Sequence, residues 1–375
     1  MIALIIAALF ACCYFTIQLF YLLQWQRVPV VVQSRSFVPE LKFSIVVVAH
    51  NEENSIVNCI ESLLQQHYPS TLFEIIIIND RSSDQTVHEI LSRPSSQIKL
   101  LHLQDHPSFI HPPAYKKSGI ELAVHHAQND WIITTDADCI HHPEWLRTIS
   151  IYVSENQIVF ATAPVLLQGN SSLLHKMQVM ENITLMLITA SGIRSGLHDM
   201  ANGANMCFSK KMFEQIRGYQ GNYQFASGDD MFLIEKMRLA APDQIGFIKA
   251  LSAIVTTSPK STWKGLIQQR IRWAGKNAGL QNKTIQRIWL FVVTYHLLMV
   301  LFLILPLATS ISFISFVIML VVKWGIDGLI VFHVARFFGL RFTIPEFIKL
   351  QCVYTYYLLL LGVNIMLKRK DDWAL

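Results

Sequence analysis

The chain has 375 residues, 52% of them hydrophobic and 15% charged, with a formal net charge of +5. It is too long for one small domain and too apolar for an ordinary soluble enzyme. The positive excess is mild and no Arg/Lys run is interleaved with aromatics, which argues against a nucleic-acid partner; basic residues beside apolar segments suit anionic lipid instead.

Along the chain, Met1 to Trp25 carry no charge, and about 20 apolar residues suffice to cross a bilayer as a helix. The first positive charge, Arg27, comes after the apolar run, the reverse of a cleaved signal peptide. Residues 1–25 are therefore expected to form an uncleaved transmembrane anchor. Arg27 and Arg35 place the segment after the anchor in the cytoplasm and Met1 outside.

Residues 40–283 read as one α/β domain. "KFSIVVVAHNEE" is a buried strand ending in a polar loop, and "SIVNCIESLLQQHY" has apolar residues at helical spacing. Next come the strand "FEIIIIND", a helix from Asp84, the strand "IKLLHL", a helix around Lys117 to His126 and the strand "WIITTDAD". Buried strands alternating with helices imply a parallel sheet, whose ligands bind beyond the carboxyl ends of the strands. Asp80, the pair Asp136/Asp138 and the "HNEEN" loop all fall there.

Residues 287–368 read as a C-terminal membrane region. One apolar block runs from Trp289 to about Val322, broken near Pro306, and two further apolar stretches precede "KRKDD". Three or four spans fit. Lys323 and Asp327, four residues apart, either pair within a membrane helix or lie in a loop. The segment "LLHKMQVMENITLMLITASGI" suits either a membrane-apposed helix or a buried core helix.

The six cysteines show no C-x-x-C spacing and two lie in the anchor, as expected of reduced thiols on the cytosolic side. The sequons at Asn170, Asn182 and Asn282 then carry no meaning. His125–His126 and His141–His142 lack a helical H-x-x-x-H partner and are expected to be surface histidines rather than zinc ligands.

Asp136 and Asp138 raise a physical question. Carboxylates two residues apart at a strand end repel unless something positive lies between them, and a divalent cation is the obvious candidate. The pair alone is weak evidence, since thirteen aspartates give about half a D-x-D match by chance in a chain of this length.

Read in order, "AHNEE", "INDRSSD", "TDAD", "GDD" and "QRIRW" resemble the pattern of the inverting glycosyltransferase family 2, in its membrane-bound branch with the cellulose, hyaluronan and poly-N-acetylglucosamine synthases. The resemblance spans roughly Phe43 to Trp273 and implies a GT-A fold, a nucleotide-sugar donor (UDP- or GDP-linked), Mg2+ or Mn2+, and hexosyl transfer to a lipid-linked or saccharide acceptor. It implies Asp138 as metal ligand with Asp136 beside it on ribose or sugar, and Asp80, Glu52 and Lys117 as further donor contacts. Asp230 of the "GDD" triplet is the implied general base, and Asp229, Asn205, Gln269, Arg272 and Trp273 lie toward acceptor and diphosphate. Asn202 and Asn205 are equally readable as turn residues, the aspartate pair as a helix cap, and "QRIRW" as part of an interfacial helix.

Two departures stand out. The family's D-D-G-S is Asn79-Asp80-Arg81-Ser82 here, and G-K-x-x-A-L-N survives only loosely as "YKKSGIELA". The expected activity is transfer of a single sugar at the cytoplasmic face of the inner or plasma membrane. A processive polysaccharide synthase and a catalytically idle scaffold in an export complex are the alternatives.

Overall fold

The structure, a computed structural model, describes residues 1–32, 37–169, 171–276, 279–307 and 313–367. Arg35, Asn170 and the closing Lys368, Arg369 and Lys370 lie outside the described residues.

The chain opens with helix α1 (Ile2–Arg27) and enters a sheet through β1 (Phe43–Ala49), α2 (Ile56–Leu64), β2 (Phe73–Asn79), α3 (Thr86–Leu91), β3 (Ile98–His102), α4 (Tyr115–His126) and β4 (Trp131–Asp136). In β1 and β2 side chains alternate between two cores, Val46, Ile76 and Ile78 into one and Ile45, Val47, Ile75 and Ile77 into the other. Both faces are covered, which is why these strands are apolar throughout rather than alternating. Each such aliphatic side chain contributes about 1.5–3 kcal/mol by leaving water. Strands β1 to β4 run parallel, so their polar carboxyl ends share one rim.

Shorter pieces complete the domain: β5 (Ile140–His141), α5 (Trp145–Glu155), β6 (Phe160–Thr162), β7 (Val165–Leu167), α6 (Leu173–Ser195), β8 (Met206–Ser209), α7 (Lys210–Gln215), α8 (Asp229–Ala240), β9 (Ile245–Phe247) and β10 (Val255–Thr257). The main sheet has the order β3-β2-β1-β4-β8-β6-β9, with β8 antiparallel to both neighbours, and β5-β10-β7 form a small second sheet.

Helix α9 (Trp263–Lys276) leads to α10 (Thr284–Ile304), α11 (Ile314–Phe337) and α12 (Ile344–Leu367). Among the described residues, α1, α10, α11 and α12 are long and apolar enough to cross a membrane. Helix α6 packs against α1, α11 and α12 on one side and against β7 and β9 on the other, so it is a core helix joining the sheet to the apolar bundle. Lys323 and Asp327 pair within α11 at 2.7 Å, the Tyr14 hydroxyl donates to Asp327 at 2.8 Å, and Lys323 also donates to Gln351. A fully buried ammonium is tolerated only with such partners; here they come from α11 and α12, and Tyr14 of α1 joins through Asp327.

Helix α1 is also fastened to the α/β domain. Lys249, just after β9, donates to the Trp25 carbonyl at 2.7 Å and lies 4.0 Å from the Trp25 ring centroid. Burial lowers this lysine to about 8. It both satisfies a carbonyl at the end of α1 and opposes the negative end of the helix.

His141 departs from expectation. It is buried, with Ser62 Oγ 2.9 Å from Nδ1, Thr135 Oγ1 2.8 Å from Nε2, and Trp145 against its ring. Two hydroxyls satisfy the ring, and burial lowers it to about 3. It braces the turn after β4 as a neutral group.

Candidate active site

The site grows from the rim where β1, β2 and β4 end. Backbone N–H groups of the β1 loop meet side chains of the β2 loop: Asn51 N–H donates to Ser82 Oγ at 3.1 Å, Glu52 N–H to Thr86 Oγ1 at 2.7 Å and Glu53 N–H to Asp84 at 3.2 Å. The two loops therefore form one surface. Asp80 is buried at its base, its Oδ1 accepting from Arg81 Nε at 2.8 Å. The Arg81 guanidinium carbon lies over the Tyr115 ring, 3.5 Å from its centroid.

Strand β4 ends at Asp136, so Asp136 and Asp138 do not occupy equivalent strand positions; Asp136 is half-buried and Asp138 exposed in the turn beyond it. The positive charge beside them is a lysine. Lys116 Nζ lies 2.6 Å from Asp136 Oδ1 and 3.3 Å from Asp229 Oδ2. Burial alone would lower the Lys116 ammonium, but Asp136 and Asp229 outweigh it and hold it above the ordinary lysine range. Glu52 faces the same volume: burial raises its carboxyl, and Asp138 and Asp136 raise it further while Lys260 opposes them.

Helix α8 supplies the second acidic pair. Gly228 precedes it with φ 90°, a left-handed conformation that glycine adopts freely. Asp229 and Asp230 then fall in the first turn, where the helix dipole favours negative charge. Asp229 is buried against Lys116, whereas Asp230 is half-exposed. A Cβ on Gly203 would stand 2.6 Å from Asp229 Oδ2, so only glycine lets the carboxylate lie there.

Two expected contacts are corrected. Lys117 is fully buried and donates to the carbonyls of Phe225 and Ser227; it holds the loop ahead of α8 from beneath, and its neighbour Lys116 carries the charge at the rim. Asn205 is also buried: its amide donates to the Pro164 and Ala253 carbonyls at 2.8 Å each and accepts from Trp145 Nε1 at 3.1 Å. That amide staples three loops and is not directed to an acceptor.

On α9, Arg272 is exposed and Trp273 half-buried. The anchoring residue is one that sequence reasoning passed over: Arg270 is buried, donates to Glu181 of α6 at 2.6 Å, to Gln269 at 2.8 Å, and lies 4.2 Å from the Trp273 ring centroid. The Tyr357 hydroxyl of α12 stands 3.5 Å from Glu181. Gln269 and Trp273 are thus positioned through Arg270, and α9 is tied to the apolar bundle.

Among the described residues no three His, Cys, Asp or Glu side chains form a complete metal cage. The donor set nonetheless fits Mg2+ or Mn2+, because these hard cations take oxygen ligands and Mg2+ is usually held by one or two carboxylates plus substrate phosphates. With Asp136 held by Lys116, exposed Asp138 is the carboxylate available for that role.

Residues 131–365, well over half of the chain, match the family described as "Glycosyl transferase family group 2", and residues 44–217 match "Glycosyl transferase family 2". The chain belongs to glycosyl transferase family group 2. Among curated relatives of this glycosyl transferase chain, the "Probable glycosyltransferase YdaM" of Bacillus subtilis is 26% identical over 248 residues, covering 63% of the chain and 55% of the relative. The poly(ribitol-phosphate) β-N-acetylglucosaminyltransferase TarS of Staphylococcus aureus is 26% identical over 117 residues, 31% of the chain and 19% of the relative. The chain thus spans about a fifth to just over half of these relatives. Among solved structures, the mannosyltransferase PcManGT of Pyrobaculum calidifontis, in complex with GDP-Man and Mn2+, superposes with a TM-score of 0.57 at 13% identity, over 97% of this chain and 99% of that one. That likeness shows a shared GT-A fold.

Proposed function

We propose that the protein is an inverting glycosyltransferase that moves a single sugar from a nucleotide-sugar donor to a lipid-linked or saccharide acceptor at the cytoplasmic face of the inner or plasma membrane. One observation carries the reading: a single ammonium, Lys116, touches both Asp136 at the end of β4 and Asp229 at the start of α8. The donor-side and acceptor-side acids thereby open onto one volume, as transfer between two bound substrates requires.

In this reading Asp80 and Glu52 line the nucleotide side, and Asp136 is positioned by Lys116. Asp138 would hold Mg2+ or Mn2+, which when bound neutralises charge on the departing diphosphate. Asp230 accepts the acceptor hydroxyl proton as the new glycosidic bond forms on the face opposite the leaving group. Asp230 is the more exposed member of its pair. Gln269, Arg272 and Trp273 lie toward acceptor and diphosphate, with guanidinium and indole suited to phosphate and a sugar face. Among the described residues three C-terminal helices are long and apolar enough to cross a membrane, few for a polymer channel, which favours single transfer over processive synthesis.

The test compares Asp230→Asn with Asp229→Asn, measuring donor binding and transfer in nanodiscs. An amide caps a helix but does not accept a proton, so Asp230→Asn should bind donor normally and lose about 100- to 10,000-fold in turnover. Turnover within a few fold of the unmodified protein would overturn the assignment.

A further inference from the structure

Helix α4 does more than present Lys116 at the rim. Lys117 and Glu121 lie four residues apart on one face of it, and both address residues 218–228, the loop that runs into the acid pair of α8. They fasten its two ends. Lys117 donates to the Phe225 and Ser227 carbonyls, while Glu121 Oε1 accepts the Tyr219 N–H at 2.9 Å. Between these points the Tyr223 hydroxyl donates to both Glu121 oxygens at 2.9 Å each. An ammonium takes the carbonyls and a carboxylate takes the donors, so one helix face holds the loop along its length. The Tyr223 ring also stacks on His111, with centroids 4.0 Å apart and planes at 24°, and Lys236 of α8 donates back to the Gly218 and Gln220 carbonyls. Tyr219 is fully buried, and its hydroxyl is pushed up first by burial and then by the charges of Asp229, Glu121 and Asp230. The residue that Glu121 grips by its backbone thus lies close to the acids.

We propose that Glu121 is a positioning residue for sugar transfer, fixing the place of Asp230 through the loop 218–228; the proposal rests on the assignment of Asp230 as base. A base must stand within hydrogen-bond reach of the acceptor hydroxyl, and a misplacement of about 1 Å costs about 100-fold in rate. Asp230 is the half-exposed member of its pair and comes two residues after Gly228, where the loop ends. Helix α4 controls both acids: Lys116 holds Asp229 at 3.3 Å, and Glu121 sets the loop that delivers Asp230. Because Lys116 also touches Asp136, one helix references the donor-side acid and the base to each other. Glu121 itself stands about 7 Å further along α4 than Lys116, under the loop, and acts on the reaction only through it.

The experiment follows label from tritiated UDP- and GDP-sugars into the endogenous acceptor of membranes holding the full chain, with donor affinity measured on the same chain in nanodiscs. Glu121→Ala should keep donor affinity within about twofold and lose about 10- to 100-fold in turnover. Glu121→Gln retains a side-chain oxygen for the Tyr219 N–H and should recover to within about threefold of the unmodified protein. The deciding measurement adds Glu121→Ala to Asp230→Asn: a residue that acts through the base loses its effect once the base is gone, so the residual turnover should fall by less than about threefold. An equal loss in both backgrounds marks a general structural role and overturns the proposal. So does weakened donor binding in Glu121→Ala, or turnover of that variant within about threefold of the unmodified protein. Full activity of Asp230→Asn removes the base assignment and the proposal with it, and absence of transfer from any of the labelled donors by the unmodified protein overturns the nucleotide-sugar reading beneath both.

Discussion

Replacing Lys116 with methionine removes the ammonium shared by Asp136 and Asp229 while keeping most of the apolar stem. At 2.6 and 3.3 Å, each contact amounts to roughly 5–6 kcal/mol of raw Coulomb energy at an effective dielectric of about 20. Desolvation offsets much of that. Breaking a fully buried pair costs about 3–5 kcal/mol, and an exposed pair about 0–1 kcal/mol. The Lys116 side chain is 34% exposed and that of Asp229 11%, so a loss of about 2–3 kcal/mol is expected after allowance for solvent screening. For a domain of this size that is roughly 4–12 °C in midpoint. Thermal unfolding in detergent at neutral pH measures it. Adding Asp136→Asn to Lys116→Met should recover part of the loss, because the two residues are coupled. A Lys116→Met midpoint within about 1 °C of the unmodified protein would refute the view that this lysine joins the two acidic motifs.

Two further outcomes are expected. Chelation should abolish sugar transfer and Asp138→Asn should impair it severely with the fold intact; full turnover in excess chelator would remove Asp138 as a metal ligand. His198, whose Nε2 lies 2.8 Å from the Tyr21 hydroxyl, is pushed by burial from 6.5 to about 4. The unfolded chain therefore takes up a proton that the folded protein refuses, so this contribution is present above about pH 6.5 and is lost as pH falls toward 4. His198→Phe should flatten stability over that window, with His141 leaving a residual slope, and an unaltered slope would show that His198 is not the group responsible.

The long parallel strands and the acidic rim were legible because a strand covered on both faces is written as an uninterrupted apolar run with polar residues at its end. Strands of two to four residues such as β5 and β8 carry too few positions for any period to register. Lys116 and Lys117 show where local reading stops. Adjacent helical residues point about 100° apart, so one lysine must differ in environment from the other, but only tertiary packing decides which faces the acids. Asn205 failed for a related reason: a polar residue in a loop-like stretch reads as solvated until the carbonyls of Pro164 and Ala253, far away in sequence, are brought to it. Arg81 was visible as a departure from pattern, while its stacking partner Tyr115 comes from a different element, α4, and emerges only with the fold. Arg270 of "QRIRW" shows no local sign of its role, because its partner Glu181 lies on α6, 89 residues away.

The bond from Tyr14 to Asp327 joins residues 313 apart in sequence, which has a consequence for biogenesis. At synthesis rates of about 5–20 residues per second, the N-terminal helix waits roughly 15–60 s for this partner. During that interval the sheet between them can form and bring Phe247 and Lys249 to Trp25, but Tyr14 and the side of α1 that α11 later covers have no final neighbours. Closure of the bundle is consequently a late step in synthesis, and a substitute N-terminal span of equal length and greasiness would insert yet leave Asp327 without the Tyr14 hydroxyl and Lys249 without the Trp25 ring when the last helices arrive.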